Sequence, residues 1–195
     1  MKLITYDRLS RVLEGASTNL ERSVDILLVG GSAVLVWCPD GTATKDLDAM
    51  KTEGIGAFID AVRRWCLTQG EDLVDVNTRA DPFEICFPEE WRDNVHRSSE
   101  LSSGTLGVHV PRPEDLAVAK VFRFVAKDAE DIRRLSALSL FDRKIFLAGF
   151  LNVLPFVIGD PREHALSFAQ IWNRLYAGEA LDFETLLKRA GLSSR

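Results

Sequence analysis

The sequence predicts an α+β fold: a small mixed sheet flanked by helices, followed by an all-helical C-terminal half. Three observations carry this. Val24-Asp25-Ile26-Leu27-Leu28-Val29 is a short apolar run stopped by Gly30-Gly31 and continued by the apolar segment Ser32 to Trp37, a strand–turn–helix unit. Thr105 to Pro111 alternates around Leu106, Val108 and Val110, as a half-buried strand does. After Pro111-Arg112-Pro113 only helical periods remain. The division falls near residue 111, giving an α/β core over 1–111 and a helical region over 112–195 packed on it.

In chain order, Tyr6, Leu9, Val12, Leu13, Ala16 and Leu20 recur at steps of three and four and predict an amphipathic helix within 5–22. The strand at 24–29 and the short helix to Trp37 follow, and Pro39-Asp40-Gly41 marks a turn. Thr44 to Met50 reads as a second strand, and a helix over 56–68 gathers Phe58, Ile59, Val62, Trp65 and Cys66 on one face. Leu73 to Val76 and Phe83 to Phe87 are strand candidates, with Pro88-Glu89-Glu90-Trp91 turning into a helical segment. The second half divides into helices at 113–126, 128–138, 141–153, 161–177 and 182–190. Pro113 suits a first helical turn, and Gly178 and Gly191 fall where C-caps belong.

The chain has 195 residues, 46% of them aliphatic, aromatic or Cys and 27% charged. That composition excludes a disordered tail protein. A chain of this length buries roughly 70% of its unfolded surface and needs no disulfide or metal staple. The net charge of −5 excludes a globally basic nucleic-acid footprint, though not a local basic groove. Cys38, Cys66 and Cys86 share no C-x-x-C spacing and sit among apolar or aromatic neighbours, so they read as buried free thiols in a reducing cytosol rather than zinc ligands. The first residues lack a signal-peptide apolar core, and no apolar run approaches the ~18 residues of a membrane span. The expected setting is cytoplasmic.

The chemistry concentrates in Gly30-Gly31-Ser32 and Lys45-Asp46-Leu47-Asp48. A strand ending in Gly-Gly-Ser and opening a helix makes an anion site from backbone N–H groups, a hydroxyl and the helix dipole. Taken alone, it reads first as a tight packing turn. Asp46 and Asp48 are two apart, so on a strand both carboxylates would project from one face and suit Mg²⁺ held with substrate phosphates. A lone pair of this kind is more often a solvated loop feature. The pairing matters, because an anion cradle beside a carboxylate pair is what phosphoryl or nucleotidyl transfer needs. His96, His109 and His164 are scattered without metal-ligand spacing, and no G-x-S-x-G, Walker A or Rossmann pattern is present.

These residues resemble the signature of the polymerase β-type nucleotidyltransferase superfamily, in the form found in small bacterial nucleotidyltransferase-like proteins related to AbiEii and MenT toxins. Val110-Pro111-Arg112-Pro113-Glu114-Asp115-Leu116, with Lys120 following, is similar to that group's V-P-x-x-E-D-L-x-x-x-K segment. Lys127-Asp128-Ala129-Glu130-Asp131-Ile132 is similar to its (R/K)-D-x-x-D-I helix. The resemblance spans roughly 24–135. It implies a nucleotidyltransferase-type sheet, Gly30, Gly31, Ser32, Lys45 and Arg123 near nucleotide phosphates, Mg²⁺ on Asp46 and Asp48, and Lys120 reaching the triphosphate. Asp128 and Asp131 would complete or brace the site. Lys120, Arg123 and Lys127 at i, i+3 and i+7 make one basic stripe, or else a solvated face with a Lys127–Asp131 pair worth about 0.3–0.5 kcal/mol. The third carboxylate used by active relatives has two candidates, Asp75 and Glu84, neither better than an ordinary strand carboxylate; Asn77 is read as marking a loop particular to this branch.

The function implied is Mg²⁺-dependent transfer of a nucleoside monophosphate from an NTP to a hydroxyl of tRNA, protein or a small molecule, as in a toxin–antitoxin toxin. The alternatives are a catalytically inactive nucleotide-binding module, docked for example to an antitoxin, and a kinase-like phosphotransferase. Trp37, Trp65, Trp91 and Trp172 read as core or interface anchors. The apolar stretch from Phe141 to Ile158 needs the C-terminal helix or a second copy of the chain to cover it, which makes a homodimer an expectation.

Overall fold

The computed structural model describes residues 2–41, 43–79, 81–123 and 127–192, without the side chains of 81–83. It divides into two compact units, one formed by 1–82 with 92–112 and the other by 83–91 with 113–195.

The first unit is α+β. Its helix α1 (Tyr6–Ser17) starts where the Thr5 hydroxyl accepts the Arg8 N–H, and it buries Leu9, Val12, Leu13 and Ala16. It packs on α3 (Ile55–Gln69), whose Phe58, Ala61, Val62 and Cys66 are fully buried. Gly15 makes this close approach possible: a Cβ there would lie 2.1 Å from the Trp65 ring. Strand β1 (Val24–Leu27) leads into α2 (Gly30–Trp37), and β2 (Leu47–Asp48) pairs in parallel with β3 (Val76–Asn77). In the other sheet β5 (Leu106–Val110) lies parallel to β1 and antiparallel to β4 (His96–Arg97). A bridge between Leu28 and Ala49, with Met50 N–H donating to Leu27 O at 2.9 Å, joins the two sheets side by side.

The second unit is helical: α4 (Pro113–Arg123), α5 (Asp128–Ser136), α6 (Arg143–Val153), α7 (Pro161–Leu175) and α8 (Phe183–Arg189). The Asp142, Asp160 and Asp182 carboxylates cap α6, α7 and α8 by accepting N–H groups of Lys144, Arg162 and Thr185. Phe122, Phe146, Phe150, Phe168 and Trp172 form its core, with Phe150 and Phe168 stacked at 3.9 Å between ring centres. Helix α6 packs on α4 and sets Phe146 and Phe150 against Phe168 of α7, while Phe156 and Ile158, beyond α6, are 72% and 81% exposed.

Several expectations are corrected. The strand expected from Thr44 to Met50 contracts to Leu47–Asp48, because the chain bends at Lys45 and Asp46. The strand expected at Leu73 to Val76 becomes Val76–Asn77. The strand expected at Phe83 to Phe87 is instead a 3-10 helix, Asp81–Cys86; a short apolar run flanked by prolines does not separate the two by periodicity. Strand β4 was not expected at all. Residues 124–126 of the helix expected at 113–126 lie outside the described residues, and Lys127 stands at the N-cap of α5 rather than within α4. Cys66 and Cys86 are buried, whereas Cys38, just past α2, is half-buried. Trp91 and Trp172 are buried and Trp37 and Trp65 half-buried.

Candidate functional site: the turn into α2 and the Asp48 carboxylate

Helix α2 begins without a capping side chain of its own, since its N-cap residue is Val29. The Asp48 carboxylate supplies the missing acceptor: Gly31 N–H donates to its Oδ2 at 3.3 Å. A carboxylate at the positive end of a helix is favourably placed, and here it arrives from a neighbouring strand. Gly30 makes room for it. Its φ is +55°, and a Cβ would lie 2.5 Å from Asp48 Oδ2, so any side chain there is excluded both by conformation and by the carboxylate.

Ser32 ties the two aspartates' backbones together. Fully buried, its hydroxyl donates to Asp46 O at 3.2 Å and accepts the Asp48 N–H at 3.0 Å. Asp46 is half-buried in the bend before β2, so the expected same-face geometry of two strand residues does not apply; the hydroxyl of Ser32, not strand alternation, relates it to Asp48. Lys45 beside it is exposed.

Register brings a further residue in. Asp48 faces Asn77 across the parallel pair, and Asn77 Nδ2 donates to Asp48 Oδ1 at 2.8 Å. The Asn77 carbonyl oxygen in turn accepts Arg79 N–H at 3.0 Å. Asn77 is therefore part of β3 and of the site, not the loop marker expected from the sequence. Asp75 is exposed just before β3, where its backbone carbonyl accepts Leu47 N–H at 2.9 Å. Glu84 lies in the 3-10 helix of the second unit, not on a strand. Among the described residues, no three His, Cys, Asp or Glu side chains are grouped to hold a metal ion.

The second unit holds a buried charge cluster between α4 and α5. Lys120 is 3% exposed and donates from Nζ to Asp128 Oδ1 at 3.0 Å and to Asp131 Oδ2 at 2.7 Å. Arg123 adds a forked pair to Asp128, at 2.6 and 3.2 Å. The Asp131 Oδ1 is buried without a hydrogen-bond partner among the described residues. The basic stripe expected on one open helix face is thus two cations turned onto the aspartates of α5. Burial pushes the nearby Cys86 thiol up from its ordinary range, against a smaller opposing pull from Arg123.

Residues 3–145 match the family described as nucleotidyltransferase of unknown function (DUF6036). The chain belongs to this family. No match was found among the curated proteins or among the solved structures. Membership makes nucleotidyl transfer the coarse function and an NTP the implied substrate class. The family's span takes in the whole α/β unit together with α4 and α5. Among the described residues, no helix of this nucleotidyltransferase-family chain is long and apolar enough to cross a membrane.

Within the family frame, the expected residues fall into two sets. Gly30, Gly31, Ser32, Asp46 and Asp48 meet in the first unit; Lys120, Arg123, Asp128 and Asp131 meet in the second. Asn77 was missed because only a two-residue strand pairing places it. Its one local signal is the affinity of Asn for turns in which its side chain accepts a backbone N–H two residues on.

Proposed function

We propose that the chain transfers a nucleoside monophosphate from an NTP to an acceptor hydroxyl, with Mg²⁺ held by Asp46 and Asp48. The observation that carries this reading is the Asp48 carboxylate fixed at the N-terminus of α2 by Gly31 N–H, with the Asp46 backbone carbonyl tied to the Asp48 backbone N–H through the Ser32 hydroxyl. The donor set suits the ion: Mg²⁺ takes hard oxygens and is commonly bound by one or two carboxylates plus substrate phosphates. When bound, it would neutralise charge developing on the phosphates. The chain's own residues do the rest. Gly30 makes room for the Asp48 carboxylate and Gly31 N–H fixes it, Ser32 ties the backbones of the two aspartates together, and Lys45 offers an exposed cation beside them. Lys120 and Arg123, expected from the resemblance to reach the nucleotide, already donate to Asp128 and Asp131, and the four are proposed instead as the brace of α4 on α5. tRNA is the first acceptor to test, in a cytoplasmic setting, with a relationship to AbiEii and MenT toxins and a cognate antitoxin as part of the same reading.

A second reading, a nucleotide-binding module without turnover, is favoured by one observation: a neutral amide, Asn77, faces Asp48 across the strand pair. The test is transfer of label from each of the four NTPs, marked separately at the α and γ phosphates, to total tRNA and to the protein itself. α-Label in an acceptor, lost in Asp46→Ala/Asp48→Ala, supports nucleotidyl transfer. γ-Label would replace it with a phosphotransferase, and binding without movement of either label would establish the module.

A further inference from the structure

We propose that Asn77 is a positioning residue that locks the Asp48 carboxylate and keeps the Asp46/Asp48 site from retaining a bare divalent cation, so that the ion is taken up only with a polyphosphate ligand. This rests on the reading of that site given above and concerns its regulation.

The orientation of the Asn77 amide is dictated from both ends. Its oxygen accepts the Arg79 N–H at 3.0 Å, and since a backbone N–H can only donate, the NH₂ group must face Asp48 Oδ1, 2.8 Å away. Together with Gly31 N–H on Oδ2, this gives each oxygen of Asp48 an N–H donor. The carboxylate is held in one orientation and part of its lone-pair capacity is spent. An aspartate at 77 could still accept the Arg79 N–H with one oxygen. Its other oxygen would then face Asp48 Oδ1 across the same short distance, a like-charge contact that a shared proton or a divalent cation between them relieves. The difference between the two side chains is one NH₂ for one oxygen, yet it decides whether the strand pair presents a lone pinned carboxylate or two facing ones. With two carboxylates, Asp46 and Asp48, and a neutral amide, the remaining oxygen ligands of a Mg²⁺-like ion must come from water or from phosphates.

The experiment uses Mn²⁺ as the probe on the full chain, with and without α,β-methylene ATP or GTP, and counts the excess Mn²⁺ retained with the protein in equilibrium dialysis, because the nucleotide alone also chelates the ion. Asn77→Asp is expected to bind Mn²⁺ without nucleotide at least about tenfold more tightly than the native chain. It should also be stabilised by Mn²⁺ in thermal unfolding where the native chain is not. Asn77→Ala, which removes the donor without adding charge, is expected to stay as weak as the native chain without nucleotide and to lose about tenfold in nucleotide-dependent uptake. Equal nucleotide-free binding by the native chain and Asn77→Asp would overturn the proposal, as would native uptake in Asn77→Ala. The transferase reading fails separately: a native chain that takes up no Mn²⁺ with nucleotide, while Asn77→Asp binds it alone, removes the substrate, overturns uptake with a polyphosphate and upholds only the exclusion of the bare ion by Asn77.

Discussion

Replacing Lys120 by Met removes one cation from the α4–α5 cluster while keeping side-chain length. Its ammonium serves two carboxylates, Asp128 (fully buried) and Asp131 (1% exposed). The losses are unequal. Asp128 keeps its forked pair with Arg123, whereas Asp131 loses the cation on Oδ2 and already has a buried Oδ1 without a partner among the described residues. The variant therefore strands one buried carboxylate, which costs about 3–5 kcal/mol. For a chain of this size each kcal/mol moves Tm by about 2–4 °C, so Lys120→Met should melt about 6–20 °C below the native chain. Thermal and urea unfolding followed by circular dichroism at pH 7 measure this. Lys120→Met/Asp131→Leu removes both charges and should regain most of the loss, since an apolar replacement of a buried pair is often neutral or stabilising. The cycle of single and double variants isolates the coupling. Lys120→Met within about 1 kcal/mol of native, or strictly additive single and double variants, would refute a desolvated ion pair here.

Three further outcomes follow from particular contacts. Ser32→Ala removes the hydroxyl joining Asp46 O to Asp48 N–H and should lower stability by about 1–3 kcal/mol in urea unfolding; an unchanged midpoint would mean that Ser32 does not staple the site. Gly15→Ala should destabilise by about 1–3 kcal/mol despite the higher helix propensity of Ala, because its Cβ meets the Trp65 ring; a gain in Tm would show that the α1–α3 contact gives way freely. Hydrogen bonds from Arg133 and then Arg134 hold the Glu130 carboxyl down to about 2, below its ordinary 4.5. With the folded value below the unfolded one, its contribution to stability is present above about pH 4.5 and lost as pH falls through about 2. A carbon-13 titration of Glu130 at low salt should show that midpoint, moving upward in high salt; a midpoint near 4.5 would contradict the pairing.

Helices were legible in this sequence because a buried stripe repeats every three to four residues over several turns, as Leu9, Val12, Leu13 and Ala16 do in α1 and Phe146, Phe150 and Val153 do in α6. The strands β2, β3 and β4 span two residues each, too few for alternation to register, and their existence depends on partners distant in the chain. The same physics divides the site. Gly30-Gly31-Ser32 and Asp46-Leu47-Asp48 stand out because turn chemistry and carboxylate spacing are local. The contact of Asn77 with Asp48 spans 29 positions and carries no local pattern. Lys120 was legible as a motif position but not as a buried one, because what covers it, Asp128 and Asp131 of α5, reaches it only through the packing of α5 on α4.

Under the proposed function, Asp46 and Asp48 form a nucleotide site dependent on a divalent cation. Equilibrium binding of fluorescent ATP and GTP, with and without Mg²⁺, to the native chain and to Asp46→Ala tests it most directly. Saturable binding that requires Mg²⁺ and falls at least about tenfold in Asp46→Ala, with an unchanged melting profile, is the expected result. Binding of equal strength without Mg²⁺, or undiminished in Asp46→Ala, would contradict it.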